Sequence, residues 1–136
     1  MKKEVIVAVS GYFDPIHVGH LKYLKLAKNI GDKLIVIINN NLQAELKKGE
    51  FFMHEKDRME IVAALRFVDE VFLSVDTDGS VCKSLEIIKP DIFANGGDRS
   101  LDEIPETAVM KKYNIKMVDG LGSKIRSSSD LTGIGK

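Results

Sequence analysis

Two histidines lie three residues apart near the start of the chain, in the segment SGYFDPIHVGH that spans residues 10–20. Histidine side chains with this spacing on a helix face the same way, so the rings of His17 and His20 can act on one ligand. The segment follows an apolar run at 5–9 and precedes a periodic run at 21–30, which places it where a strand leads into a helix. Because the first-turn N–H groups of a helix are unpaired and attract anions, the two imidazoles beside them predict phosphate chemistry.

The residues around the histidines fit a tight turn that a ligand can approach. Gly11 permits close approach of the backbone, and Pro15 lacks an N–H that the start of a helix does not need. A zinc site made by His17, His20 and Asp14 is an alternative, for which the sequence offers no further ligand.

Composition narrows the class of protein. The chain has 136 residues, of which 44% are hydrophobic and 29% charged, so we expect one globular domain over residues 1–136. The 20 basic residues balance the 20 acidic residues, which gives no sign of binding to nucleic acid or to an acidic membrane. Cys82 is the single cysteine, so we expect a reducing compartment and a cytoplasmic protein. No apolar run reaches the roughly 18 residues of a membrane span, and residues 1–9 predict a first strand rather than a signal peptide.

Apolar and periodic runs alternate along the chain. They predict strands at 5–9, 34–38, 68–75, 91–94 and 115–118, helices at 16–29, 54–67, 81–89 and 104–113, and the start of a last helix at 126–130. Gly31 is expected to cap the end of the first helix, and Ser80 the start of the third. Residues 42–53 contain Lys47-Lys48-Gly49 and predict a loop or a short, mobile helix that could serve as a lid.

Strands that alternate with helices imply right-handed crossovers. The expected fold is therefore α/β, a Rossmann-like three-layer α/β/α arrangement around a five-stranded parallel sheet. Ligands bind such sheets outside the carboxyl ends of the strands. Three polar clusters, at 10–20, 95–99 and 122–130, each follow a strand, so we expect them to meet at one edge of the sheet.

The pattern Gly-x-Phe-Asp-x-x-His-x-x-His, which begins at Gly11, resembles the HxGH motif of the nucleotidyltransferase superfamily. Residues 58–71 look like the helix–strand segment of small bacterial cytidylyltransferases, and Ser127-Ser128-Ser129-Asp130 is similar to their carboxyl-terminal serine signature. The segment FANGGD at 93–98 is similar to the Lys-Gly-Gly-Asp loop of heptose-1-phosphate adenylyltransferases. The resemblance covers nearly the whole chain. One departure is the missing Arg-Thr-x-Gly before the serines, for which Arg126 is a candidate substitute.

The resemblance implies a nucleotidyltransferase that moves a nucleoside monophosphate from ATP or CTP to a small phosphorylated acceptor and releases pyrophosphate. The catalytic residues would be His17 and His20 on the α- and β-phosphates, Lys48, alone or with Lys47, closing over the triphosphate, and Arg126. The other expected nucleotide-binding residues are Gly11, the Tyr12 and Phe13 N–H groups, Asp14, Gly19, Gly96, Asp98, Ser127 and Ser128. Mg²⁺ would bridge the triphosphate oxygens, mostly through water, with no metal-binding residue of the protein's own.

The sequence leaves several alternatives open. The leading acceptor is a sugar or polyol phosphate, such as heptose 1-phosphate in lipopolysaccharide precursor synthesis; the alternatives are an FAD synthase, or a nucleotide-binding regulator without turnover. Relatives of this type are often homodimers, so we expect one here. Individual residues also have simpler interpretations: a solvated pair for Lys47 and Lys48, a surface ion-pair partner for Arg58, a plain turn for Gly96-Gly97, and a helix cap for 126–129.

Overall fold

The computed structural model describes residues 3–95 and 105–118. Its strands are β1 (Ile6–Gly11), β2 (Lys33–Ile38), β3 (Glu70–Leu73), β4 (Ile92–Ala94) and β5 (Lys116–Val118). Its helices are α1 (Val18–Asn29), α2 (Asn41–Lys48), α3 (Glu55–Ala63), α4 (Cys82–Ile88) and α5 (Thr107–Lys112). None of the helices in this part of the chain is long and apolar enough to span a membrane.

The five strands form one parallel sheet in the order β3-β2-β1-β4-β5, which confirms the predicted α/β, Rossmann-like fold. Strand order reverses at β1, which pairs with β2 on one side and with β4 on the other. Neighbouring residues of β1 face opposite layers: Val7 and Val9 join the core beneath α1, while Ala8 joins the core that contains Leu85 of α4. The turn that carries the histidines therefore leaves a central strand that is buried on both faces.

Several predicted boundaries were wrong. Helix α1 begins at Val18 rather than at residue 16, because His17 caps it, and it ends at Asn29 with Ile30 as its cap. Gly31 is not a left-handed cap. A Cβ on Gly31 would lie 2.4 Å from Val7 Cγ2 and 3.0 Å from the Val5 carbonyl oxygen, so this glycine lets the chain pass close to β1.

A short helix was one of the two expectations for residues 42–53, and it is present as α2, which ends at Lys48 and is capped by Gly49 with φ 86°. The start of α4 differs from the expectation. Ser80 is not the cap of α4; instead the Asp76 carboxylate accepts hydrogen bonds from the N–H groups of Lys83 (2.7 Å) and Ser84 (3.0 Å). Asp76 lies in the loop before α4. A charged carboxylate accepts hydrogen bonds from the N–H groups at the start of a helix more strongly than a hydroxyl does.

We expect Gly31→Ala to destabilise the fold, because its methyl group has no space beside Val7. Overpacking of this kind costs about 1–3 kcal/mol of unfolding free energy, which urea denaturation would measure. Gly79→Ala is the matched control, since a Cβ at that glycine meets no atom within 4 Å. Equal stabilities of the two variants would contradict this explanation of Gly31.

Candidate active site

The turn after β1 is built around the side chain of Phe13. Its ring is 2% exposed and packs over Gly11, where an added Cβ would lie 2.8 Å from the ring. The backbone of Phe13 has φ 51°, in the left-handed region that residues with a side chain rarely adopt. The same ring lies 4.8 Å from the ring of His20. Gly11 and Phe13 therefore form the surface against which the ring of His20 packs.

His17 and His20 form a reciprocal cap at the start of α1. The Nδ1 atom of His17 accepts a hydrogen bond from the Gly19 N–H (3.1 Å), and Nδ1 of His20 accepts one from the His17 N–H (3.0 Å). The His20 N–H also bonds to the His17 carbonyl oxygen. The N–H groups of the first helical turn were expected to be unpaired. This was wrong for Gly19 and His20, because both N–H groups donate to His17.

This cap fixes which ring nitrogen carries the proton. A neutral imidazole whose Nδ1 accepts a hydrogen bond must hold its hydrogen on Nε2. The two rings lie 3.9 Å apart and face the same cavity, so both can direct an Nε2–H towards a shared anion. Gly19 leaves room for this arrangement, since a Cβ there would lie 3.0 Å from Cε1 of His17. Burial, followed by repulsion from His17, lowers the pKa of His20 to about 4, so His20 is neutral near pH 7.

Asp14 holds the segment that connects α2 to α3. Its side chain is fully buried and accepts hydrogen bonds from the N–H groups of Phe52 (2.7 Å) and Met53 (2.6 Å) and from Lys48 Nζ (2.9 Å). Burial alone would raise the pKa of Asp14, but the bonds from Phe52, Lys48 and Met53 together lower it below its usual value. Asp14 is therefore an anion, and its carboxylate holds this segment in place by accepting three hydrogen bonds.

The two adjacent lysines of α2 have different surroundings. Lys48 Nζ bonds to both the carboxylate and the carbonyl oxygen of Asp14, which leaves one of its three N–H donors for a ligand. Lys47 Nζ lies 4.8 Å from the centre of the Tyr12 ring. Both lysines line the cavity that contains the histidines. The structure brings both to the site, and neither is an isolated solvated side chain.

Two adjoining cavities lie at the carboxyl end of β1. The first, of about 430 Å³, is lined by the residues that favour an anion, among them His17, His20, Lys47 and Lys48. The second, of about 570 Å³, has apolar walls from Leu46, Val81 and Phe93 and polar groups from Asn39, Gln43 and Glu106. Ser10, Gly11, Tyr12 and Lys47 line both cavities. The arrangement can place a polyphosphate beside a larger molecule.

Polar residues after β2 fix the wall of the second cavity. Gln43 is completely buried; its amide nitrogen donates to the carbonyl oxygens of Asp78 (2.7 Å) and Ser80 (2.8 Å). Its carbonyl oxygen accepts hydrogen bonds from the Asn39 side chain and from the Asn40 N–H. This network holds the start of α2 against the loop before α4.

The described residues account for part of the predicted site. Gly11, Tyr12, Phe13, Asp14, Gly19 and the two histidines all lie at one edge of the sheet, with Lys48. Gly96, Asp98, Arg126, Ser127 and Ser128 lie outside the described residues. Sequence analysis missed Gln43 and Glu106, and the simpler interpretation it offered for Arg58, a surface ion-pair partner, is wrong. The run of three asparagines after β2 was the signal for the polar wall, but a lone Gln or Glu in a helix pattern carries none.

Arg58 is buried, with 1% of its surface exposed, and is not a surface ion-pair partner. It donates hydrogen bonds to the carbonyl oxygens of Tyr12, Asn39 and Met53 and to the side chain of Asn41. The packing of α3 beneath the turn places this arginine at the point where four segments meet.

Within residues 3–95 and 105–118, no three histidine, cysteine, aspartate or glutamate side chains are grouped to hold a metal ion. Asp14, the carboxylate beside the histidine turn, already accepts three hydrogen bonds. These residues do not make a carboxylate cage for a divalent cation.

Comparison with known proteins matches residues 8–130 to a family model described as cytidylyltransferase-like. An FAD synthase from Thermococcus sibiricus is 39% identical over 118 residues, which span 84% of this chain and 77% of that protein. The bifunctional protein HldE from Methylobacillus flagellatus is 36% identical over 116 residues, 84% of this chain and 23% of that protein. A crystal structure of a lipopolysaccharide core biosynthesis protein from Thermoplasma volcanium matches with a TM-score of 0.73 and 29% identity, covering 86% of this chain and 96% of that one.

The lowered pKa of His20 predicts a specific pH dependence. The unfolded chain takes up a proton near pH 6.5, whereas folded His20 does so only near pH 4. Between these pH values the unfolded chain binds more protons than the folded chain, so the free energy of unfolding decreases as the pH falls from 6.5 to 4. Above pH 6.5 both states are neutral at this histidine, and the full stability is present. NMR titration of the ring C–H signals should give a pKa near 4 for His20. A value near 6.5 would contradict the burial and the histidine contact described above.

Proposed function

We propose that this chain, which belongs to the cytidylyltransferase-like family and is a nucleotidyltransferase, transfers AMP from ATP to FMN and so makes FAD. The observation that carries the proposal is the similarity to FAD synthases, which extends over most of this chain and most of theirs. The Methanothermus fervidus enzyme, for example, is 41% identical over 74% of its length.

In the proposed reaction, a phosphate oxygen of FMN attacks the α-phosphorus of ATP. A new P–O bond forms at the α-phosphorus, the bond to the β-phosphate oxygen breaks, and pyrophosphate leaves with the electron pair. The attacking phosphate is already an anion, so the protein need not supply a nucleophile or remove a proton. Positioning and neutralisation of negative charge then account for catalysis.

The smaller cavity supplies the charge stabilisation. The Nε2–H groups of His17 and His20 would donate to phosphate oxygens on either side of the bond that breaks. Lys48, held by Asp14, would use its remaining N–H on the triphosphate, and Lys47 would approach from the same helix. The side chains are already oriented by the cap and the ion pair, so little reorganisation is needed when charge develops.

The larger cavity would receive the flat ring system of a substrate. Phe93, Val81 and Leu46 offer apolar surface, and Asn39 and Glu106 offer polar contacts at its edge. Gln43 is fully hydrogen-bonded within the protein and supports this wall. Such a mixture of apolar walls and a few placed polar groups is typical of sites for small molecules. Because Gly11 and Tyr12 line both cavities, an acceptor phosphate placed beside them would reach the α-phosphate.

We also propose that Mg²⁺ accompanies the nucleotide. Because the described residues do not form a carboxylate cage, triphosphate oxygens and water would hold the ion. When bound, it neutralises charge on the leaving pyrophosphate.

A sugar phosphate is the second candidate acceptor. Its support is the similarity to HldE, together with the 29% identity to the Thermoplasma lipopolysaccharide core protein. The resemblance of residues 93–98 to the heptose-1-phosphate adenylyltransferase loop points the same way, although residues 96–98 are outside the described part of the chain.

A matrix of acceptors and nucleotides tests these proposals. FMN, heptose 1-phosphate and glycerol 3-phosphate would each be incubated with ATP or CTP and Mg²⁺, and pyrophosphate release measured. We expect release with FMN and ATP, with FAD as the second product. Release only with a sugar or polyol phosphate would overturn the FAD proposal. Nucleotide binding without release in any pairing would favour a regulator without turnover.

We expect His17→Asn to separate the capping role of His17 from its catalytic role. Asparagine is a good N-cap and should keep the fold, but it removes the Nε2–H from the phosphates. Turnover should fall by roughly 10²–10⁴-fold while the thermal midpoint changes little.

The matched control is His54→Asn. His54 also caps a helix, α3, through Nδ1, but it does not line either cavity. This variant should keep near-normal turnover. Similar losses in both variants, or near-normal turnover of His17→Asn, would refute the role assigned to His17.

A further inference from the structure

We propose that Arg58 is a positioning residue that aims the Phe13 N–H at a phosphate oxygen of the bound nucleotide. The inference rests on nucleotidyl transfer in this site, but it does not depend on which base or acceptor is used. Arg58 does not line either cavity, so it would act through the backbone and not by contact with the substrate.

The first step is the peptide bond between Tyr12 and Phe13. Arg58 Nη1 donates to the Tyr12 carbonyl oxygen over 2.9 Å. The only cis peptide bond in the described part of the chain joins Asp14 to Pro15, so the bond at Tyr12–Phe13 is trans. In a trans peptide the C=O and N–H of one plane point in opposite directions. The Phe13 N–H therefore points away from Arg58. Tyr12 and Phe13 both line the histidine cavity, and the proposal places this N–H at the wall of that cavity.

The second step is the state of that N–H. It donates no hydrogen bond to any atom of residues 3–95 or 105–118. Because it has no acceptor among these residues, the N–H can donate to a ligand that enters the histidine cavity, which Phe13 lines. The Phe13 φ of 51° lies in the left-handed region, and strained backbone of this kind clusters at functional sites. An anionic oxygen is the acceptor that this donor lacks.

The third step is what keeps the peptide in this orientation. The same Nη1 atom donates to the Asn39 carbonyl oxygen, and the other guanidinium nitrogens donate to the Met53 carbonyl oxygen and to Asn41 Oδ1. A planar guanidinium with fixed partners on several sides holds the Tyr12 carbonyl oxygen in one place. Its charge also polarises the peptide, which makes the N–H opposite a stronger donor.

Charge balance is consistent with this role. Burial lowers the pKa of Arg58, while the charges of Asp14 and Glu55 act in the opposite direction. Neither carboxylate bonds directly to the guanidinium in the described structure; Glu55 bonds to the Asn41 N–H instead. The positive charge is therefore directed at backbone carbonyl groups and is not neutralised by a direct ion pair.

The test uses Arg58→Lys, with Arg66→Lys, on the exposed side of the following segment, as the matched control. Lysine keeps the charge but cannot hold four acceptors. The probe is inorganic tripolyphosphate, which carries the triphosphate without a base, and the readout is the ¹H–¹⁵N signal of Phe13. We expect a downfield shift on binding in the wild type and in Arg66→Lys, and a much smaller one in Arg58→Lys at saturation. Turnover of Arg58→Lys should fall roughly 10–100-fold.

A merely structural role would change the thermal midpoint and leave the Phe13 shift of the folded protein intact, and that result would overturn the proposal. If Arg58→Lys fails to fold, the wild type can still overturn the proposal. Absence of a Phe13 shift when tripolyphosphate moves the Gly19 signal would show that this N–H does not meet the phosphates. Failure of FMN as an acceptor would leave these outcomes unchanged.

Discussion

The hydrogen bonds from the backbone to the Nδ1 atoms of His17 and His20 are the interactions on which the site depends. They start helix α1, and in the same step they fix both imidazoles with hydrogen on Nε2. Structure and chemistry are thus combined in one cap: a residue that begins a helix also presents a donor to the ligand. Burial of His20, and after it the closeness of the His17 ring, lowers the pKa of His20, which keeps at least this donor a neutral imidazole.

Around this cap, two charged side chains organise the neighbouring segments. Asp14 accepts hydrogen bonds from Lys48 and from the N–H groups of Phe52 and Met53. Arg58 donates hydrogen bonds to carbonyl groups of the turn, the end of β2 and the segment before α3. The anion binds donors and the cation binds acceptors, so segments distant in sequence are held at one edge of the sheet. In the proposed reaction, the phosphates would therefore bind to groups whose positions are already fixed by these hydrogen bonds.

Sequence periodicity was sufficient for the fold, because strands buried on both faces and amphipathic helices leave a pattern that does not depend on distant contacts. The spacing of His17 and His20 likewise predicted a shared face. It could not reveal that His17 caps the helix, since that depends on the helix starting at Val18 rather than at residue 16. A surface ion pair stayed open as an interpretation of Arg58, because helical spacing does not show what packs against α3. Gly31 was predicted to be a helix cap because a glycine after a helix pattern usually has that role. The sequence does not show that Val7 lies too close for a side chain at this position.

The central claim is that the cap leaves both histidines with hydrogen on Nε2. Long-range ¹H–¹⁵N correlation NMR of the ring nitrogens at pH 7.5, without ligand, tests it directly. The structure predicts an unprotonated Nδ1 and a protonated Nε2 for His17 and His20. A protonated Nδ1 on either neutral ring would contradict the cap, and with it the account of how the site stabilises phosphate charge.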